Sequence, residues 1–249
     1  MRRLANDPVV FLSGVLPVPQ QLAESALARQ PGLPWPAKLV RCESGEVGLV
    51  GEVPRLVEPR AGAAIVRRAV EAARVWLDAA EPDPAATSSD AWTAEELEDL
   101  LDETAYPWQL LEDGACRLDV THDGVVGRME LRRVTAGGLR LCGRGAVGVG
   151  DGRSFLAQTR YALEANSRLR LARVSVGSGG GSAAWVVWDV VLPGEVPLEA
   201  ALREGVGAVA TARAVTEAAL RALATPAVAE AYLALRTNSR PGNSRRRKE

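Results

Sequence analysis

Residues 153–224 read as helix, strand, strand, long helix, and a shorter version of the same order lies near the N-terminus. In the later run, helical spacing marks residues 155–166 and apolar runs mark strands at 169–176 and 183–192. Leu198, Leu202, Val206, Val209, Thr216, Leu220 and Leu223 then form a stripe along a helix over 197–224. In the earlier run, Leu22, Ser25, Ala26 and Leu27 mark a helix over 19–30 that Pro31-Gly32 stops. Strands follow at 37–42 and 47–53, joined by the turn residues Glu43-Ser44-Gly45-Glu46. A helix over 61–80 carries Ile65, Ala69, Ala72, Trp76 and Ala80 along one face. Leu49-Val50-Gly51-Glu52-Val53 lies where Val187-Trp188-Asp189-Val190-Val191 lies in the later run, and each strand holds an acid among apolar residues. Self-similarity on this scale constrains the fold more than any single motif. Two copies of one unit can bury against each other the surface that two chains would otherwise share.

Residues 81–90 have no hydrophobic period and contain Pro82 and Pro84, so they read as a linker. The chain thus divides into an N-terminal half-lobe (1–80), a linker (81–92), a complete lobe (93–236) and a disordered basic tail (237–249). The complete lobe opens at Thr93-Ala94-Glu95-Glu96, a capping box in which Thr93 and Glu96 each satisfy a free backbone N–H of the first turn. Leu97, Leu100 and Leu101 mark the inner face of that helix, and Pro107 is expected to end it. Strands at 115–121 and 125–134 flank His122-Asp123-Gly124, a strong hairpin signal, and a third strand covers 139–147. The expected class is α+β: an antiparallel sheet flanked by helices in the order α-β-β-β-α-β-β-α, preceded by a related α-β-β-α half-lobe.

That order, the segment lengths and the acidic opening helix with Glu95, Glu98, Asp99 and Asp102 resemble the type III secretion chaperone-like fold, including the related YbjN family. The resemblance covers residues 93–224 and is one of topology and hydrophobic pattern. It implies a protein that is not an enzyme and that binds a partner chain, commonly as a homodimer. The additional N-terminal half departs from the pattern and points to a single-chain pseudo-dimer as the alternative to a homodimer.

Composition narrows the classes. A formal net charge of -1 over 249 residues gives no global field to gather nucleic acid. No apolar run reaches the roughly 18 residues of a membrane helix. Gly14 and Pro17 interrupt the short apolar segment after Arg2-Arg3, which reads against a signal peptide. Cys42, Cys116 and Cys142 are odd in number and widely spaced, which suits reduced thiols in a cytoplasm.

The remaining motifs have ordinary readings. Gly143-Arg144-Gly145-Ala146-Val147-Gly148 matches a dinucleotide pattern, but Val149-Gly150-Asp151-Gly152 delays the helix and the neighbours suggest antiparallel hairpins. A nucleotide-binding protein or enzyme using residues 143–150 is the first alternative function. Cys116, His122 and Cys142 are too few and too scattered for zinc, and no acid orients them as a Cys–His nucleophile pair. No catalytic, metal or cofactor residue is assigned. Arg128, Arg132, Arg133, Arg140 and Arg144 fall on adjacent strands. With the tail Arg245-Arg246-Arg247-Lys248 they support a nucleic-acid-associated protein as the second alternative, although interleaved aromatics are missing. Trp35, Trp185 and Trp188 stand out in a chain with 4 % aromatic residues, as core anchors or as a binding patch. The favoured function is non-catalytic binding of a polypeptide segment on an open sheet edge or groove. Trp185, Val187 and Trp188 are the expected contacts, with Arg128 and Arg132 orienting acidic partner residues.

Overall fold

A computed structural model of the chain describes residues 9–11, 16–18, 37–41, 46–54, 59–78, 94–122, 125–134, 138–148, 150–178, 183–192 and 198–238. The expected helix at 19–30, Trp35, Cys42, Thr93, the linker and residues 239–249 lie outside them. The class is α+β, as the alternation of periods predicts.

The first sheet is built on β4 (Val47–Pro54), which pairs antiparallel with β1 (Val9–Phe11), β2 (Leu16–Val18) and β3 (Ala37–Arg41). Helix α1 (Pro59–Asp78) packs on β4. Gly51 permits the approach, because a Cβ there would sit 2.2 Å from Val66 Cγ1. The second sheet has six antiparallel strands in the order β5-β6-β7-β8-β10-β9. They are β5 (Trp108–Leu110), β6 (Cys116–His122), β7 (Val125–Val134), β8 (Gly138–Gly148), β9 (Arg173–Ser178) and β10 (Ala183–Leu192). Helix α2 (Ala94–Asp102) precedes β5, α3 (Gly152–Asn166) joins β8 to β9, and α4 (Leu198–Ala222) and α5 (Pro226–Asn238) follow β10. β5 is additional to the expected order, and α5 carries helix into the start of the expected tail.

Alternation sorts the six-stranded sheet into two faces. One face carries Leu118, Met129, Leu131, Leu141 and Trp188, all buried, and α4 packs on β8 and β10. The Trp188 indole N–H donates to Thr216 Oγ1 at 2.7 Å, and Arg213 lies over the ring at 5.7 Å. Gly145 makes the space, since a Cβ there would come within 2.9 Å of the same ring. The opposite face changes character across the strands. On β6, β7 and β8 it is charged, whereas on β9 and β10 Arg173, Ser175, Val187, Asp189 and Val191 are all buried.

The two sheets meet near β3 and β9. Arg173 Nη1 donates to the Ala37 carbonyl at 2.9 Å, and Lys38 Nζ donates to the Leu169 carbonyl at 2.7 Å. Each of these cations also holds a buried acid of its own hairpin, Arg173 with Asp189 at 3.0 Å and Lys38 with Glu52 at 2.8 Å. Residues of both halves, including Leu39, Leu49, Leu163 and Trp188, belong to one hydrophobic cluster. α3 packs against both β3 and β9, and Asn166 bonds both the N–H and the carbonyl of Val174. That contact occupies the outer edge of β9, so this end of the sheet is not open there.

Asp189 is fully buried and accepts from both Arg173 and Arg140. Replacing it by leucine strands the Arg173 charge inside the protein. Asp189→Leu is expected to lose about 3–5 kcal/mol in urea unfolding. Arg128→Ala, at an exposed pair with Asp119, should lose less than about 1 kcal/mol.

Candidate functional site

Helices α3 and α4 run antiparallel, as three bonds show. Ser154 Oγ donates to the Ala224 carbonyl at 3.4 Å, Gln158 Nε2 to Leu220 at 2.9 Å, and Tyr161 Oη to Val215 at 3.4 Å. The start of α3 is fixed by Asp151, whose carboxylate accepts from Ser154 N at 2.7 Å and is held below the usual carboxylate range by that bond. Beyond Tyr161 the two helices bound a groove of about 560 Å³.

One wall of the groove is Glu204, Ala208, Thr211 and Val215 on α4. Their spacing of four, three and four residues keeps them on one helical face for about 16 Å. Ala165, Arg168, Leu169 and Leu171 line it from α3 and the turn after it. Tyr161 stands at the rim, edge-on to Tyr232 with ring centroids 6.4 Å apart. Burial pushes both phenols above their usual range. Glu164 anchors the same rim through Arg236 at 2.7 Å and Arg41 at 3.5 Å. Two charges differ from these: neither Arg168 nor Glu204 has an ion-pair partner among the described residues. Burial raises the Glu204 carboxyl above its ordinary value.

The turn after α3 corrects the expected strand at 169–176, which begins only at Arg173. Ala172 N bonds back to the Arg170 carbonyl, and Leu171 takes the left-handed conformation at φ 60. It is the one non-glycine residue with positive φ among those described. Such a conformation costs on the order of 1–3 kcal/mol, so its surroundings must hold it. Glu52 Oε2 does so, accepting from Leu171 N at 2.9 Å.

None of the five expected contact residues lines this groove. Trp188 is fully buried and Val187 is 7 % exposed, so neither offers surface to a partner. β10 is paired on both sides, by β8 and β9, and both its faces are covered along Val186–Leu192. Trp185 is half-buried, its ring lying over Gly177, where a Cβ would come within 1.9 Å. Arg132 is committed to Asp113 at 2.7 Å and Glu130 at 3.1 Å, and it lowers the Asp113 pKa. Arg128 is exposed and borders a second, smaller cavity of about 200 Å³ with Arg117, Glu130, Cys142 and Arg144. The arginine face is therefore a mixed lattice, in which Glu130 serves both Arg132 and Arg144 and Asp189 serves Arg140.

The glycine run has a packing role. Gly143, Gly145 and Gly148 lie inside β8, and Gly143 and Gly145 admit Val209 and Trp188. The helix that follows carries its own carboxylate, Asp151, at its N-terminus, where a phosphate would have to bind. Cys116 and Cys142 are buried thiols on opposite faces of the sheet, both with pKa raised by burial. Among the described residues no group of three or more His, Cys, Asp and Glu is placed to hold a metal. No single described helix is long and apolar enough to cross a membrane, and α4 and α5 are bent by 108° where they meet. No family model, curated protein or solved structure matches the chain.

Sequence periodicity found the buried stripe of α4 and missed the groove stripe beside it. Its signals are small residues at Gly207 and Ala208 and a Val215 that is 58 % exposed. The raised Glu204 pKa gives a signed prediction. The folded state holds the Glu204 proton more tightly than the unfolded chain, so the charged form subtracts stability above the folded pKa. Glu204→Gln is expected to stabilise the protein at pH 7 by less than about 1 kcal/mol, given its remaining exposure. Thermal unfolding below about pH 4 should show no difference between the two proteins.

Proposed function

We propose that the protein is a non-catalytic, chaperone-like binding module of the cytoplasm, and that it accepts a helical segment of a partner polypeptide in the groove between α3 and α4. The observation that carries this reading is the pair of facing helical walls. A strip about 16 Å long on α4, with Glu204 at one end, Thr211 within it and Ala208 and Val215 as its apolar positions, faces Ala165, Leu169 and Leu171 across the groove. Small side chains at Gly207, Ala208 and Ala165 let a third helix approach closely, in the manner of ridges packing into grooves. Arg168 and Glu204, which have no ion-pair partner among the described residues, select a segment that brings an acid to one and a base to the other. The resemblance to the chaperone-like fold supports the same role. A groove is favoured over strand addition, because Asn166 occupies the edge of β9 and the opposite edge strand, β5, has three residues.

The chain works as a single-chain pseudo-dimer in this reading. The β3–β4 hairpin with its Lys38–Glu52 pair stands against the β9–β10 hairpin with its Arg173–Asp189 pair, and each cation reaches a carbonyl of the other half. Light scattering is expected to give the mass of one chain; a stable dimer would remove this part of the proposal.

Selection from a displayed library of amphipathic helical peptides tests the groove. Enriched peptides should lose about tenfold or more in affinity to Ala208→Arg, which fills the groove with a charge, and should bind Arg128→Ala unchanged. Peptides that bind Ala208→Arg as well as the parent protein would sink the reading.

A further inference from the structure

The groove's end wall is held from outside the lobe that forms the groove. Residues 168–171 close it at the C-terminal end of α3. Three contacts from the N-terminal sheet converge on this turn. Glu52 Oε2 accepts from Leu171 N at 2.9 Å, Lys38 Nζ donates to the Leu169 carbonyl at 2.7 Å, and Glu52 Oε1 lies 3.8 Å from Arg170 Nη1. Lys38 and Glu52 are bonded to each other at 2.8 Å, and both are at least 97 % buried. The residue they hold, Leu171, is the one in the disfavoured left-handed conformation.

We infer that Glu52 is a positioning residue for the groove: with Lys38 it clamps Leu169–Leu171 into the shape that a partner helix meets, so the N-terminal sheet is part of the binding site. The physical reason lies in the backbone of Leu171. Leucine does not rest at φ 60 unless something fixes it there, and a carboxylate accepting its N–H is a directional restraint. Releasing the restraint lets the turn relax toward ordinary backbone, which moves the Leu169 and Leu171 side chains that line the groove. Covalent continuity alone does not impose this shape, because Glu52 lies 119 residues earlier in the chain. The N-terminal half therefore does more than cover surface. A change in that half would be felt at the groove through one bonded contact, which is a short physical route between the two.

The inference rests on the groove reading for its functional sense, and its test separates the two. Hydrogen exchange in the full chain without any peptide reads the clamp alone. In Glu52→Gln the Leu171 amide is expected to exchange faster by about tenfold beyond any change at the core amide of Leu141. Affinity for a peptide selected on the parent protein should fall by about tenfold, within the usual range of coupling between sites. Two further variants distinguish positioning from general weakening. Asp189→Leu also strands a buried cation but leaves the clamp in place, so it should lower stability without lowering affinity. Leu171→Gly on the Glu52→Gln background should restore affinity toward that of Leu171→Gly alone, because glycine holds positive φ without help.

An unchanged Leu171 amide in Glu52→Gln overturns the clamp. Equal losses of affinity in Glu52→Gln and Asp189→Leu overturn the positioning role. If no peptide binds the parent protein, the groove reading fails while the exchange data still judge the clamp. Should Glu52→Gln not fold, the thermal midpoints of Leu171→Gly and Leu171→Ala decide. Glycine is expected to give the higher midpoint, the reverse of the usual order, and the usual order would overturn the inference.

Discussion

Two cations and two acids are withdrawn from water where the sheets of this protein meet, and the arrangement of both halves follows from keeping them paired. Lys38, Glu52, Arg173 and Asp189 are each less than 5 % exposed. A buried ion pair seldom stabilises a fold more than a well-packed apolar pair would, because both ions lose their hydration. Its leverage lies in what happens when one partner is displaced. An unpaired charge in that interior costs several kcal/mol, so arrangements that separate the pairs are strongly disfavoured. The bonds from Arg173 to Ala37 and from Lys38 to Leu169 extend this selectivity across the junction. The relative placement of β3 and β9 is thereby fixed by directional contacts as well as by the apolar cluster that spans both halves.

Around this junction the packing depends on what is missing from side chains. Aromatic residues make up 4 % of the chain and glycines number 24. Gly51 lets α1 reach β4 through Val66, and Gly145 leaves a slot for Trp188. Gly205 meets Leu192 and Val190, which brings α4 down on the sheet. A core of alanine, valine and leucine gains its density from such close approach rather than from large side chains. The same economy of side-chain volume leaves the face of α4 beyond the core stripe shallow, with Gly207 and Ala208 among the residues that line the groove.

Most of the architecture was legible, because it rests on local signals. The strands Val125–Val134 and Ala183–Leu192 are bounded as their apolar runs predict, and the stripe on α4 is buried from Leu202 to Leu223. The acids within β4 and β10 were visible as exceptions, and they prove to be the ions of the junction. What could not be read was which cation each would find, since Lys38 and Arg173 are ordinary residues until the hairpins fold. The candidate site was less legible for a related reason. Tryptophan in a chain poor in aromatics draws attention, yet Trp188 sits on a strand covered on both faces and its N–H is satisfied by Thr216. The groove is marked instead by small residues and by Arg168 and Glu204, whose types are common on any helix surface. The turn at 169–172 was also hidden, because its apolar residues have strand character and the force that bends them comes from Glu52.

That force ties the fold to the site. If leucine at 171 were free to choose, the chain would run from α3 into β9 with ordinary backbone angles, and the groove would have a different end. The conformation observed needs an acceptor for the Leu171 N–H and a donor for the Leu169 carbonyl, and the Glu52–Lys38 pair supplies both. The pair in turn tolerates burial only because these backbone groups, with the nearby Arg170 guanidinium, help to replace its lost water. The turn carries a disfavoured backbone and the ion pair a desolvation cost, and each supplies polar contacts to the other. In the folded chain the wall of the groove is thus completed by contacts from both halves.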